Sequence, residues 1–287
     1  MVGSPEVMIM SLDLSATTPD LLPGTPCWVE LATPDEAAAQ NFYSGLFGWT
    51  FQDKPDPATG RYTLVNLAGL PAGGMYRAGA GQAPGWTLHL CVHNTATAAE
   101  WVEHLGGRTT LGPVDIPGRG SILHVVDPSG VPVVLWQPAS SWNFGFGSPG
   151  MFAGAELNTH DGPTSDGFFC RLFGYSSMQI GAEGLDYAEW RLEQQPVLHR
   201  YVMGTEYQAT AQPHWMVYFE VEPAVGTDAL AVRAEQLGGR VVAPPFDTPF
   251  GRTAVLADPG GGTFSVIDHS NPIDGWGRAE VDDPYTD

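Results

Sequence analysis

Glu30-Leu31-Ala32-Thr33 and Phe42-Tyr43-Ser44-Gly45-Leu46-Phe47-Gly48-Trp49 come back as Glu156-Leu157-Asn158-Thr159 and Phe168-Phe169-Cys170-Arg171-Leu172-Phe173-Gly174-Tyr175. Both pieces return 126 positions later, so one offset relates a strand and the helix that follows it. Self-similarity at a fixed spacing marks repetition of one folding unit. Tyr62 and Pro71 return as Tyr187 and Pro196, Leu105-Gly106-Gly107-Arg108 as Leu237-Gly238-Gly239-Arg240, and Asp127-Pro128 as Asp258-Pro259. These repeated residues read as helix faces, a left-handed helix stop and a hairpin turn, so they speak for fold more than for chemistry.

Working outward inside the first copy, residues 27–32 alternate as a strand does. Thr33-Pro34-Asp35-Glu36 then opens a helix, with Thr33 as N-cap, Pro34 at the first helical position and Glu36 completing a capping box. Ala38, Phe42, Leu46 and Phe47 keep an apolar face, and Gly48 closes the helix in the left-handed conformation. Strands are predicted at 61–67 and 74–77 with Leu70-Pro71-Ala72-Gly73 as the turn between them, and 79–85 is a Gly/Ala/Pro connector. A second unit of the same type has a strand at 86–92, a helix at 95–105 stopped by Gly106-Gly107, and an extended stretch at 111–117. It ends with strands at 121–126 and 131–136 around the Asp127-Pro128-Ser129-Gly130 turn. The pattern β-α-β-β-β thus occurs twice within residues 26–138.

The expected class is α+β, with two tandem domains. Each is a pair of β-α-β-β-β units forming a curved mixed sheet, a cup with its helices outside. The divisions are an N-terminal arm at 1–23, a first domain at 24–138, a linker at 139–150, a second domain at 151–270 and an acidic tail at 271–287.

Composition narrows the function classes. Thirty-two acidic side chains stand against 12 basic ones, and the formal net charge is −20. Such a field repels phosphate backbones and anionic lipid, so neither nucleic acid nor membrane is expected as a partner. It favours a cationic ligand where the charge faces a site, and elsewhere keeps a surface soluble. No run reaches the ~18 apolar residues of a membrane span and no export signal opens the chain, so a cytoplasmic protein, monomer or homodimer, is expected. Cys27, Cys91 and Cys170 lack paired spacing and read as reduced thiols. No Gly-x-Gly-x-x-Gly leads from a strand into a helix, and P-loop and Gly-x-Ser-x-Gly signatures are missing, which sets aside the common nucleotide and hydrolase readings.

Four β-α-β-β-β units, the Phe-Tyr-x-x-Leu-Phe-Gly-Trp closure at 42–49 and Asp-Pro-x-Gly ahead of the last strand resemble the vicinal oxygen chelate superfamily. That group includes glyoxalase I, bleomycin-resistance proteins and extradiol dioxygenases. The likeness spans about residues 24–270. The opening Pro23-Gly24-Thr25-Pro26-Cys27-Trp28-Val29-Glu30-Leu31, with the paired domains, looks like actinobacterial proteins labelled glyoxalase-like or hydroxylase. The resemblance implies a cup holding a metal or a ligand. It places the metal ligands at Trp28, Gly74 or Met75, Thr87 and Val134 in the first half, and at Gly154, His199 or Arg200, Met216 and Ser265 in the second. A divalent cation needs three or four converging N/O donors, and neither half keeps two clear ones. No cofactor is expected, with a divalent metal as the variant.

Alternation puts Trp28, Glu30 and Ala32 on one strand face, and Thr87, His89 and Cys91 on another, with Val134 and Trp136 beside them. Glu30 and His89 could then form a displaced metal pair, a carboxylate–imidazole pair for proton transfer, or a structural contact. Cys91 lacks a basic neighbour that would make it a thiolate. In the second half Glu156, Tyr218 and Glu220, with His199, share the equivalent face, where two carboxylates beside aromatics suit a cationic guest. His124, His160, His214 and His269 read as strand-end or loop residues without a partner at ligand spacing. Trp28, Tyr62, Trp86, Trp136, Trp190, Trp215 and Tyr218 fall on strands that build or flank the cups, about half of them as core.

The expected function is metal-independent binding of a hydrophobic or aromatic small molecule, with a cationic one as the variant. The role is sequestration of a natural product or a cofactor-free tailoring step in secondary metabolism. The alternatives are a metal-dependent isomerase, lyase or oxygenase with displaced ligands, and a chain in which only one cup is used.

Overall fold

The computed structural model describes residues 21–54, 62–182, 184–208 and 210–273. Most of the arm, the tail from 274 and Arg61 lie outside them. Strand β1 (Pro26–Thr33) alternates as expected, burying Val29 and Leu31 on the face opposite Trp28 and Glu30. Helix α1 (Glu36–Phe47) begins two residues later than the sequence reading has it: its N-cap is Asp35, whose carboxylate accepts from Ala37 and Ala38 N–H at 3.0 and 3.1 Å. Thr33 cannot cap it because its backbone still pairs in the sheet, opposite Arg77. Gly48 closes the helix as expected, at φ 75°.

The first sheet continues with β2 (Thr50–Lys54), β3 (Tyr62–Leu67), β4 (Leu70–Arg77) and β5 (Gly85–Cys91). After α2 (Thr95–His104) come β6 (Arg108–Ile116), β7 (Gly120–Val126) and β8 (Pro132–Pro138). The turn expected at Leu70–Gly73 is instead Ala68-Gly69, at φ 49° and 84°. Two successive positive-φ residues make the tight hairpin that matches strand twist, so pairing resumes at once with Leu67 opposite Leu70. The strand order is β2-β3-β4-β1-β5-β8-β7-β6, with β1–β4 and β5–β8 parallel and β1–β5 antiparallel at the centre.

The second copy repeats this order with β9 (Phe152–Thr159), α3 (Gly162–Phe173), β10 (Ser176–Gln179), β11 (Tyr187–Leu192), β12 (Gln195–Val202) and β13 (His214–Glu220). It closes with α4 (Thr227–Gln236), β14 (Arg240–Thr248), β15 (Gly251–Ala257) and β16 (Thr263–Asp268). No described helix is long and apolar enough to cross a membrane.

The helix-bearing faces of the two sheets meet. Trp86 of β5 lies 5.1 Å from Phe219 of β13, ring to ring, within a group that includes Tyr43, Phe47, Trp49 and Phe264. Trp190 and Trp215 likewise pack on Phe169 of α3. These three tryptophans are therefore helix-side core, whereas Trp28, Tyr62, Trp136 and Tyr218 stay on the cup faces.

The repeated motifs are the joinery between copies. A Cβ on Gly107 would stand 2.8 Å from Phe168, and one on Gly239 would stand 2.6 Å from Phe42, so each Leu-Gly-Gly-Arg stop admits a phenylalanine from the other copy's first helix. The Asp-Pro turns cross over in the same way. Tyr43 donates to the Asp258 carboxylate at 3.1 Å, and Ser165 donates to Asp127 at 3.4 Å.

Residues 139–150 do more than span the gap between sheets. Trp142 donates to the Cys27 carbonyl at 3.0 Å, and its ring lies 4.5 Å from Trp28 and 4.3 Å from Trp136. Phe144 follows at 5.5 Å from Trp28. These rings close one end of the first cup.

Candidate functional site

Antiparallel pairing of β1 with β5 sets Trp28 opposite His89 and Glu30 opposite Thr87, and β8 brings Val134 beside His89. Tyr62 reaches the same place from β3 because β4 offers Gly74, where a Cβ would stand 1.7 Å from the Tyr62 oxygen. The Tyr62 hydroxyl accepts from Trp28 Nε1 at 2.8 Å and donates to Glu30 Oε2 at 3.1 Å. His89 Nε2 stands 3.3 Å from Glu30 Oε1, close enough for charge pairing but misaligned for a hydrogen bond, so neither ring nitrogen has a hydrogen-bond partner.

His89 is 2% exposed, and its ring lies 5.2 Å from Trp136. Burial pushes the Glu30 carboxyl up, but His89, with His124 and the Tyr62 hydroxyl, holds it below its usual value. His124, read from sequence as partnerless, thus acts on this carboxylate through space; burial and the nearby His89 push its own imidazole down. The Arg119 guanidinium lies 4.6 Å over the Tyr62 ring. Cys91, two residues beyond His89, is closed off by the arm: its Sγ is 3.6 Å from the Leu21 carbonyl, and burial raises the thiol to about 11.

The second cup has the same register with other side chains. Met216 stands opposite Glu156, Tyr218 opposite Gly154, and Ser265 beside Tyr218. Tyr218 therefore takes the place of His89, Gly154 that of Trp28, and Ser265 that of Val134. His199 stands opposite Glu156, where the first cup has Gly74. Arg200 turns to the other face, pairing with Asp166 and Asp186 at 2.9 and 2.5 Å.

Glu156 is 8% exposed. It accepts from the Tyr218 hydroxyl at 3.4 Å and also bonds Tyr187. Burial nevertheless raises its carboxyl above the usual value, since these hydroxyls and the nearby His199 do not offset the lost solvation. Tyr207, from the segment after β12, donates to Asn158 Oδ1 at 3.0 Å. Tyr187, His199 and Phe250 form an aromatic wall, with His199 4.7 Å from Phe250 and 5.6 Å from Tyr187, and Tyr201 and Tyr207 extend it. Glu189 is paired with Arg191 at 2.5 Å and lies 3.6 Å from His199 Nε2; the two hold its carboxyl low.

Glu220 does not join Glu156. It sits at the end of β13, where His269 Nδ1 is 2.6 Å from its carboxylate, so His269 has a partner that sequence reasoning did not foresee.

Room differs as much as chemistry. Trp28 is 0% exposed and packed among rings. A Cβ on Gly154 meets nothing within 4 Å. At the positions where the resemblance implies metal ligands, Trp28, Gly74, Val134, Gly154 and Met216 supply no ordinary donor, and the Tyr62 hydroxyl fills the space over Gly74. Among the described residues no three His, Cys, Asp or Glu side chains come together to hold a metal. The residues present do not make a donor set for a divalent cation. An open concavity of about 540 Å3 lies away from both cups, between the start of α2 and the ends of β6–β8.

Tyr187 could have been named as a site residue from the sequence, because it repeats Tyr62. Tyr201, Tyr207 and Phe250 lie on a strand end and in loops, where no periodicity points to them.

No family model matches the chain. Its sequence is 34% identical over 262 residues to the anthracycline biosynthesis protein DauV of Streptomyces sp. (strain C5), covering 86% of this chain and 94% of that protein. It is 34% identical over 266 residues to the putative glyoxylase CFP32 of Mycobacterium tuberculosis, covering 85% and 94%. The fold matches the Mn(II)-bound glyoxalase from Novosphingobium aromaticivorans with a TM-score of 0.63 over 88% of this chain and 84% of that one, at 14% identity.

Proposed function

The chain belongs to the vicinal oxygen chelate superfamily, in its tandem-domain glyoxalase-like branch, and from that premise we propose that its second cup binds a fused-ring aromatic natural product without a metal ion. The observation that carries this reading is the open space over Gly154, at the position that Trp28 fills in the first cup. Tyr187, His199, Phe250 and Tyr218 offer flat surface around that space, with Met216 beside them. Burying roughly 200 Å2 of apolar ligand surface at about 25 cal/mol per Å2 supplies ~5 kcal/mol before ordering costs, enough for binding but not for tight binding. The relatives' association with anthracycline biosynthesis supports a planar polyketide as the class of ligand and secondary metabolism as the setting. The three unpaired cysteines support a reducing, cytoplasmic location. The role is sequestration of the molecule or presentation of it for a tailoring step.

A second reading rests on one feature of the first cup, the buried His89 without a hydrogen-bond partner beside the Glu30 carboxylate. In that reading the pair moves a proton on a bound substrate without a cofactor, Glu30 holding the imidazole's orientation and charge.

Titration of an anthracycline, followed by its visible absorbance, tests the first reading. One site per chain is expected, and Gly154→Trp is expected to remove it. Two equivalent sites, or a site indifferent to that substitution, would overturn the assignment to the second cup.

A further inference from the structure

We infer that the second cup selects ligands bearing a protonated amine, and that Glu156 is the group that holds the ammonium. This rests on the second cup being the ligand site, as proposed above.

Four observations lead to it. First, Glu156 is deeply buried, and the groups that bond it among the described residues are the neutral hydroxyls of Tyr218 and Tyr187. Second, three arginines on the strands of this domain are engaged with other carboxylates. Arg191 is paired with Glu189, Arg200 with Asp166 and Asp186, and Arg252 with Asp228 and Asp247. The titratable groups facing Glu156 are His199 from β12, Tyr187 from β11, Tyr218 from β13 and Tyr207 from the following segment; Glu189 and Glu206 lie beyond, the latter bonded to Tyr201.

Third, the first cup answers the same need internally. Its Glu30 has His89 3.3 Å away, at the position that Tyr218 holds in the second cup, whereas the imidazole that faces Glu156, His199, stands 3.6 Å from Glu189. Fourth, the rings of Tyr187, Tyr201, Tyr207 and Phe250 stand on the same side of the domain, and electron-rich ring faces attract an organic cation more than an inorganic one. The net charge of −20 draws such a ligand toward the protein.

An ammonium that enters donates N–H to the Glu156 carboxylate and supplies favourable charge where burial has removed water. The carboxylate–ammonium contact forms where water is largely excluded and therefore counts for more than a surface pair.

The test uses two probes of nearly equal shape, aminomethylanthracene, which is protonated at neutral pH, and hydroxymethylanthracene, which is not. Calorimetric titration of the full chain is expected to show the amine binding roughly tenfold to a hundredfold more tightly than the alcohol, the range of a hydrogen bond to a charged group. Glu156→Gln, a change of one atom type in a buried amide-sized space, is expected to erase the preference. Equal affinity for the two probes overturns the inference alone, and that comparison needs no variant. Retention of the amine preference in Glu156→Gln does the same. Failure of both probes to bind overturns the ligand site itself, and the inference with it.

Discussion

Glu30 and Glu156 occupy one register position in two copies of one domain, yet their surroundings drive them in opposite directions. Burial opposes ionisation of both. In the first cup the imidazoles win, and Glu30 is held as a carboxylate. In the second a tyrosine stands where the imidazole would be, burial wins, and the Glu156 carboxyl is raised. A second exchange, Trp28 for Gly154, goes with the first and decides space: one cup is filled, the other has room. Duplication thus preserved the frame while two side chains redistributed charge and volume. What looks like two equal sites in the sequence is a filled half and an open half.

The largest expected effect comes from undoing the filled half. Trp28→Ala removes a fully buried ring packed on Trp136, Trp142 and Phe144, together with its hydrogen bond to Tyr62. A loss of about 3–5 kcal/mol is expected in urea unfolding. Gly154→Trp, placed in open space, should cost under about 1 kcal/mol by the same measurement, although it removes ligand binding. Similar losses from the two changes would mean that the cups do not differ in packing.

Next come the glycines that join the copies. Gly107→Ala and Gly239→Ala each press a methyl group onto a phenylalanine of the other domain, at 2.8 and 2.6 Å. Each is expected to cost ~1–3 kcal/mol, the range for overpacking. Gly239→Ala should be the costlier, because its methyl group also meets the Ala257 carbonyl oxygen at 2.7 Å, whereas the atoms around Gly107 all belong to side chains that can give. A larger cost at Gly107 would show that the side-chain contact between copies, and not the backbone, sets the penalty.

A smaller effect, but the sharpest on the comparison, is the dependence of stability on pH. Glu30 has its folded value lowered, so its contribution is present above the unfolded carboxyl value of about 4.3 and is lost as pH falls through the folded one. Glu156 has its folded value raised, so its contribution is present below about 4.3 and is lost as pH rises through the folded one. Subtracting the unfolding free energy of each Gln variant from that of the parent chain across pH 3–8, roughly the span on either side of these values, should give curves of opposite slope. Two slopes of one sign would refute the assignment of the charge difference to His89 and Tyr218.

How much of this could be read in the sequence follows from what alternation and repetition can report. The common offset predicted two copies and their element order. Period-two alternation put Trp28, Glu30 and His89 on inner faces. Neither signal says what covers a face. Tyr62 reaches Glu30 only because Gly74 leaves space on the strand between them, a relation across three strands with no local signature. Trp142 looked like linker because its neighbours are Ser, Asn and Gly, yet it seals the first cup. Thr33 had the right chemistry for a cap but was still committed to strand pairing. Glu220 and His269 met because β13 and β16 run parallel, which brings their C-terminal ends to one edge.

The smallest expected effect is that of removing metal, and it bears on both halves at once. The positions at which the resemblance implies ligands hold a buried indole, two glycines, a valine and a methionine, with Thr87, His199 and Ser265 as their polar groups, and the Tyr62 hydroxyl takes the space a side chain on β4 would use. The Glu30–His89 pair contributes two donors, but the imidazole has neither nitrogen aligned on a partner, and the surrounding rings of Trp28 and Trp136 leave no third donor converging on it. Dialysis against a chelator is therefore expected to leave the melting temperature and anthracycline affinity of the chain where they were, and added Mn, Zn, Ni or Fe salts should change neither. The contrary result is concrete: a stoichiometric metal in the purified chain that disappears in both Glu30→Ala and His89→Ala. It would turn the filled half into the active one and make the open half its accessory, reversing the comparison between the cups.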